Sequence, residues 1–134
     1  MPWLKALLIG GLWITSAQAQ DLSCAAPAKP MLQAELMFGR TIGGRLGVTE
    51  ASWRQFVTRE LTPRFPDGLT IIDAQGQWRD PRGGLVREPS KIVVIVTVDD
   101  ATARERIAAA AAAYKQRFKQ MSVGVLTRPV CAAF

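Results

Sequence analysis

Glu35 stands mid-way along an alternating apolar and polar segment of a chain with no histidine, so acid–base chemistry would fall to a carboxylate. Under apolar cover, Glu35 could act as a general base, with Arg40 or Arg64 steadying an anion. The plainer reading pairs Glu35 with Arg128 across neighbouring strands, and it is preferred. Arg40 and Arg45 lie in a glycine-rich stretch, Gly39–Gly47, that runs into a helix start. Backbone N–H groups and two guanidinium forks could hold an anion there. Neither GxGxxG nor the Walker spacing is present, so a connector with solvated arginines is the simpler account. Trp78 sits among turn residues and could be a ligand-stacking plate, a dimer contact or a plug for the sheet end. Core or interface packing is the safer assignment for it. Asp67, Asp73 and Asp80 are too widely spaced for a calcium loop. No metal or cofactor is expected.

The missing histidines exclude Ser-His-Asp and Cys-His catalysis and histidine-based metal sites. The two cysteines, Cys24 and Cys131, read as one disulfide in an oxidising compartment. The alternative is a lipid anchor on Cys24, in the cell envelope. A lipobox wants a leucine-like residue where Asp21 stands, and lipidation would leave Cys131 unpaired.

The N-terminus supplies the compartment. Lys5, the uncharged and mostly apolar run Ala6–Ser16, and Ala17-Gln18-Ala19 follow the order of a secretory signal peptide. An apolar run of that length is too short to span a membrane. The expected layout is a signal peptide over 1–19, a lead-in over 20–30 and a single domain over 31–134, in the periplasm or secreted. The net charge is +6, and twelve of the seventeen basic residues are arginines spread along the chain. Nucleic acid would call for a concentrated basic stripe, so it is not an expected partner. A small anionic or apolar ligand is.

The elements that must position these residues follow from periodicity. Met31–Phe38 alternates, with Leu32, Ala34, Leu36 and Phe38 on one face, and reads as strand one. Thr49 caps a helix with Glu50 in its first turn, Val48 and Trp53 form a hydrophobic staple, and Trp53, Phe56, Val57 and Leu61 recur at helical spacing. Pro63 is expected to stop that helix by disfavouring α geometry at Thr62. Leu69–Asp73 is strand two, with a turn or bulge at Ala74-Gln75-Gly76, and Lys91–Val98 is strand three. A second helix runs from Ala101 to about Gln120, with Ile107, Tyr114, Phe118 and Met121 on one side, and Ser122–Val130 closes as strand four.

The order βαββαβ is the split pattern of an α+β, ferredoxin-like fold: four antiparallel strands with two helices on one face. Strands one and three are read as parallel central neighbours, and the last strand lies antiparallel to the first at one edge. That arrangement sets Cys24 beside Cys131. Strand three is apolar on both sides: Ile92, Val94, Val96 and Val98 on one, Val93 and Ile95 on the other. The helix-free face therefore calls for cover. Three covers offer themselves: a homodimer partner, preferred, an apolar ligand, or the 74–89 segment folded across it.

Several stretches carry a resemblance: Glu35-Leu36-x-Phe38-Gly39-Arg40, Val48-Thr49-Glu50-x-x-Trp53, Thr62-Pro63-Arg64-Phe65-Pro66-Asp67-Gly68-Leu69-Thr70, Asp73-Ala74-x-Gly76-Gln77-Trp78 and Arg117-Phe118-Lys119-Gln120-x-Ser122-Val123. With them the chain resembles a bacterial exported family known only as domain of unknown function 3574. The resemblance implies export and one domain and carries no assigned reaction. Some such relatives have a lipobox, which this chain lacks. The expected function is a small exported α+β binding or interaction protein, leaning away from catalysis, with a cofactor-independent enzyme based on Glu35 as the alternative.

Overall fold

The computed structural model of the protein describes residues 22–134, so the signal-peptide assignment lies outside the described residues. Strand β1 (Lys29–Gly39) buries Leu32, Ala34, Leu36 and Phe38 on one face, as its alternation requires. A small hairpin follows, β2 (Thr41–Ile42) and β3 (Arg45–Leu46), where a plain loop was expected. Helix α1 (Glu50–Phe56) is capped by the Thr49 hydroxyl, which accepts the Ser52 N–H at 3.1 Å. Both staple residues, Val48 and Trp53, are buried.

Pro63 does not end this helix. A π-helical turn (Val57–Leu61) leads into a last short turn, α2 (Thr62–Arg64), and Thr62 keeps right-handed helical geometry. Proline lacks an N–H and its ring would press on the carbonyl four residues earlier. One wide turn just before it relaxes that crowding, and the Thr62 N–H reaches back to the Val57 carbonyl instead.

Strand β4 (Thr70–Arg79) runs unbroken through Ala74-Gln75-Gly76, and its register with β5 (Leu85–Thr97) has no slip from Thr70–Val94 to Arg79–Leu85. The 74–89 segment is thus a long hairpin that extends the sheet, and it does not fold across the open face. Its turn is tied by Asp80, whose carboxylate accepts the Arg82 and Gly84 N–H groups at 2.8 and 2.9 Å. Helix α3 (Ala101–Phe118) is capped by Asp100 and closed by Lys119 in the left-handed conformation. Its buried stripe is Ala103, Ile107, Ala110, Ala111, Tyr114 and Phe118. Met121 lies past the helix end and is 77% exposed, so it does not belong to that stripe. Strand β6 (Gly124–Ala132) completes the chain.

The sheet order is β4-β5-β1-β6 and every neighbouring pair is antiparallel. The fold is the expected ferredoxin-like α+β, with one correction: the central neighbours β1 and β5 are antiparallel. The crossover through α1 makes β1 and β4 point the same way. The β4–β5 hairpin then reverses, so the strand inserted between them must oppose both. Helices cover the face of Leu36, Phe38, Val93 and Ile95, around an aromatic knot of Phe38, Trp53, Phe56, Tyr114 and Phe118 with ring centroids 4.7 to 6.1 Å apart in the contacting pairs. Cys24 and Cys131 form a disulfide, with Cα atoms 5.5 Å apart, next to the Pro30–Cys131 register pair of β1 and β6. Among the described residues no helix is long and apolar enough to cross a membrane.

Candidate functional site

On the helix-free face, the end of the sheet where β1 runs into the β2–β3 hairpin opens into a groove of about 880 Å³. That volume suits a small organic ligand. Its floor is stripped of bulk by Gly39, Gly76, Ser90 and Gly124, and its walls come from Thr41–Gly44, from the β4–β5 hairpin and from Lys119–Ser122. A Cβ on Gly76 would meet Glu88 and Ser90 at ordinary contact distance, 3.7 Å.

Glu88 holds the walls together. Its carboxylate accepts the Thr41 N–H at 3.0 Å and the Trp78 indole N–H at 2.9 Å, so it joins the small hairpin to the long one. It lies so close over the β1 end that a Cβ on Gly39 would come within 2.6 Å of its oxygen and push the carboxylate aside. Gln120 donates to the Thr41 carbonyl at 2.9 Å and ties the third wall to the first. Trp78 is not packed in the core: it is 41% exposed and lines the groove.

Behind the groove, on the helix side, sits a charged cluster. Arg40 is buried, donates to the Val48 carbonyl at 2.9 Å and pairs with Glu50 at 2.6 Å. Lys91, also buried, pairs with Glu50 at 3.0 Å and with its cross-strand neighbour Asp73. The hydrogen bond from Lys91 holds both the Glu50 and the Asp73 carboxyl below their usual range. Burial pulls the Lys91 ammonium down, but the hydrogen bonds to Asp73 and Glu50 outweigh it and the net direction is up. The Arg40 carbonyl accepts both the Gly47 and Val48 N–H groups at 3.0 Å, which fixes the root of the β2–β3 wall. Nearby, the Tyr114 hydroxyl donates to the Gly39 carbonyl at 2.7 Å, and burial raises its pKa strongly.

The residues singled out from the sequence are therefore dispersed. Trp78 and the Gly39–Gly44 part of the glycine-rich stretch reach the groove. Arg40 faces the helix side, with Nε on the Val48 carbonyl and Nη1 on Glu50, and does not line the groove. Arg45 is exposed on β3. Arg64 pairs with Glu60 at 2.6 Å and lies at the opposite end of the sheet, against Ile95 and Val96. Glu35 accepts from Gln33 at 2.8 Å and from Arg128 at 3.5 Å, the preferred cross-strand pairing, and it does not line the groove. Glu88, Arg82 and Lys119 were missed. The Val86, Glu88, Ser90 alternation could have placed Glu88 on one face with Trp78, had β5 been read as starting at Leu85.

The family model described as "Protein of unknown function (DUF3574)" matches residues 33–134, and the chain belongs to that family. No curated protein matches it. Among solved structures it is similar to a phage SAM lyase in complex with S-methyl-5'-thioadenosine, with 18% identity and a TM-score of 0.61 over 76% of this chain and 90% of that one. It is also similar to CutA from Synechococcus elongatus PCC7942, with 16% identity and a TM-score of 0.51 over 77% of this chain and 80% of that one. At such identities the likeness is one of fold.

Proposed function

We propose that this member of the DUF3574 family is an exported binding domain whose groove receives a small organic anion with a flat apolar body. The groove itself carries the reading: it is a cavity of ligand size built from three chain segments and braced by Glu88 and Gln120. Export is supported by the disulfide, a bond that persists in oxidising compartments.

The charge preference follows from which groups are already engaged. Both groove carboxylates accept N–H groups, Asp80 from its own turn and Glu88 from Thr41 and Trp78. Among the described residues, the side chains of Arg82 and Lys119 line the groove with no hydrogen-bond or ion-pair partner. Met37, Ile42, Val86 and Met121 supply apolar contact, and the Trp78 ring offers a stacking plate. A ligand with an apolar ring and one acidic group satisfies both sets at once. Glu35 stays outside the groove and in a salt bridge, which favours binding over the catalytic alternative.

The test is a titration of 2-naphthoate, followed by tryptophan fluorescence and calorimetry. Its neutral amide and S-methyl-5'-thioadenosine, the uncharged ligand of the phage lyase structure, serve as controls. Naphthoate is expected to bind about tenfold more tightly than the amide, the worth of one or two screened charge contacts. Trp78→Ala abolishes the fluorescence response, and Arg82→Glu with Lys119→Glu removes the preference for the anion. No binding of any of the three ligands at millimolar concentration overturns the reading.

A further inference from the structure

We infer that a second copy of this chain covers the rest of the helix-free face, related to the first by a two-fold axis. From the groove's rim, where Met37 belongs to both, that face continues as a block of aliphatic side chains. Ile72, Ile92 and Met37 lie in one row, Val94 and Leu126 flank Glu35 in the next, and Val96 follows beside Gln33 and Arg128. Ile72 is 45% exposed and Leu126 50%, although the helix-side core is complete without them. Val94 and Val96, near the sheet centre, are only half-buried. A wet patch of this kind is unusual on a protein that acts alone.

The charge distribution says which occupant fits. The chain carries a net charge of +6, so two copies repel over most of their surface. Across these three rows the charged residues are one acid and one base, Glu35 and Arg128, already 3.5 Å apart, so the block is neutral. A nucleic acid or an anionic membrane would select a positive face, which this is not. An isologous contact needs a self-complementary patch. A two-fold axis passing beside the Glu35–Arg128 pair sets each carboxylate near the partner's guanidinium while the aliphatic rows pack. Four strands about 4.8 Å apart and about seven residues long offer roughly 450 Å² per copy in projection. Two such faces bury about 900 Å², more with side-chain relief, below the usual size of stable dimers, so the expected association is weak and transient, micromolar at best.

Sedimentation velocity on the oxidised protein from about 1 to about 500 µM spans the range in which an interface of this size dissociates. The expected result is a monomer–dimer equilibrium that Leu126→Glu abolishes, with the monomer's melting curve unchanged because the residue is exposed. Glu35→Arg and Arg128→Glu variants each associate more weakly than the parent alone. Mixed one to one they associate more tightly than either alone, because only the mixed pair matches charges across the axis. A parent chain that stays monomeric throughout overturns the inference. So does a dimer indifferent to Leu126→Glu, or a mixture no tighter than its components. Naphthoate binding in the groove is scored separately, on the monomeric Leu126→Glu variant.

Discussion

Removing the disulfide isolates what the chain gains from tying its ends together. Cys24 and Cys131 are 107 positions apart, so the bridge closes nearly the whole described chain into a loop. In the chain-entropy model a loop of that length takes about 16 cal/mol/K from the unfolded ensemble, or about 4.8 kcal/mol at 25 °C. The folded state gives up little in return, because the β1–β6 ladder already holds Pro30 opposite Cys131. Measured effects fall below the model's limit, and about 2–4 kcal/mol is expected for a Cys24→Ser/Cys131→Ser double variant. With an unfolding entropy of about 2.1 cal/mol/K per residue over the described chain, that loss lowers Tm by about 8–17 °C. The assay is urea and thermal unfolding followed by tryptophan fluorescence, with Trp53 in the core as reporter. Because the effect acts on the unfolded chain, the urea slope should rise as that chain expands. The parent protein in reductant should match the double variant. A variant melting within about 2 °C of the parent would refute the entropic reasoning. A full loss with an unchanged urea slope would instead place the stabilisation in the folded state.

Phe56 is fully buried against Phe38, Trp53, Tyr114 and Phe118. Phe56→Ala is expected to cost about 3–5 kcal/mol in urea denaturation, and a loss under about 1 kcal/mol would show that the knot collapses around the cavity. The charged cluster predicts a pH dependence with a definite sign. Glu50 and Asp73 titrate below their ordinary values of 4.5 and 3.8, so their contribution is present above those values and is lost as pH falls through the lower folded values. Lys91 titrates above its ordinary 10.5, so its contribution is complete below that value and is lost only in stronger base. The stability gap between the parent and Lys91→Met should therefore hold at neutral pH and narrow below about pH 4. Urea midpoints from pH 3 to 8 measure it, and a gap that stays constant into acid would remove the cluster as its source.

What residue order determined by itself was local and periodic. Alternation from Leu32 to Phe38 chose the buried face of β1, because successive strand side chains point to opposite sides. Thr49 marked the start of the first helix, because a cap acts within three residues of itself. The βαββαβ order then left few topologies, and the cysteines fell at the two ends that this topology brings together. Tertiary structure decided the rest. Pro63 stayed helical because a π turn one step earlier made room for its ring, a compensation no propensity at Thr62 contains. Arg40 turned inward because Val48 and Glu50 meet it there, although its sequence neighbours look like a solvated loop. The groove depends on contacts between residues far apart in the chain, Thr41 with Glu88 and Gln120 with Thr41. Spacing along the chain reports on neighbours three or four residues away, whereas a binding site is set by which distant segments the packed sheet brings to the same end.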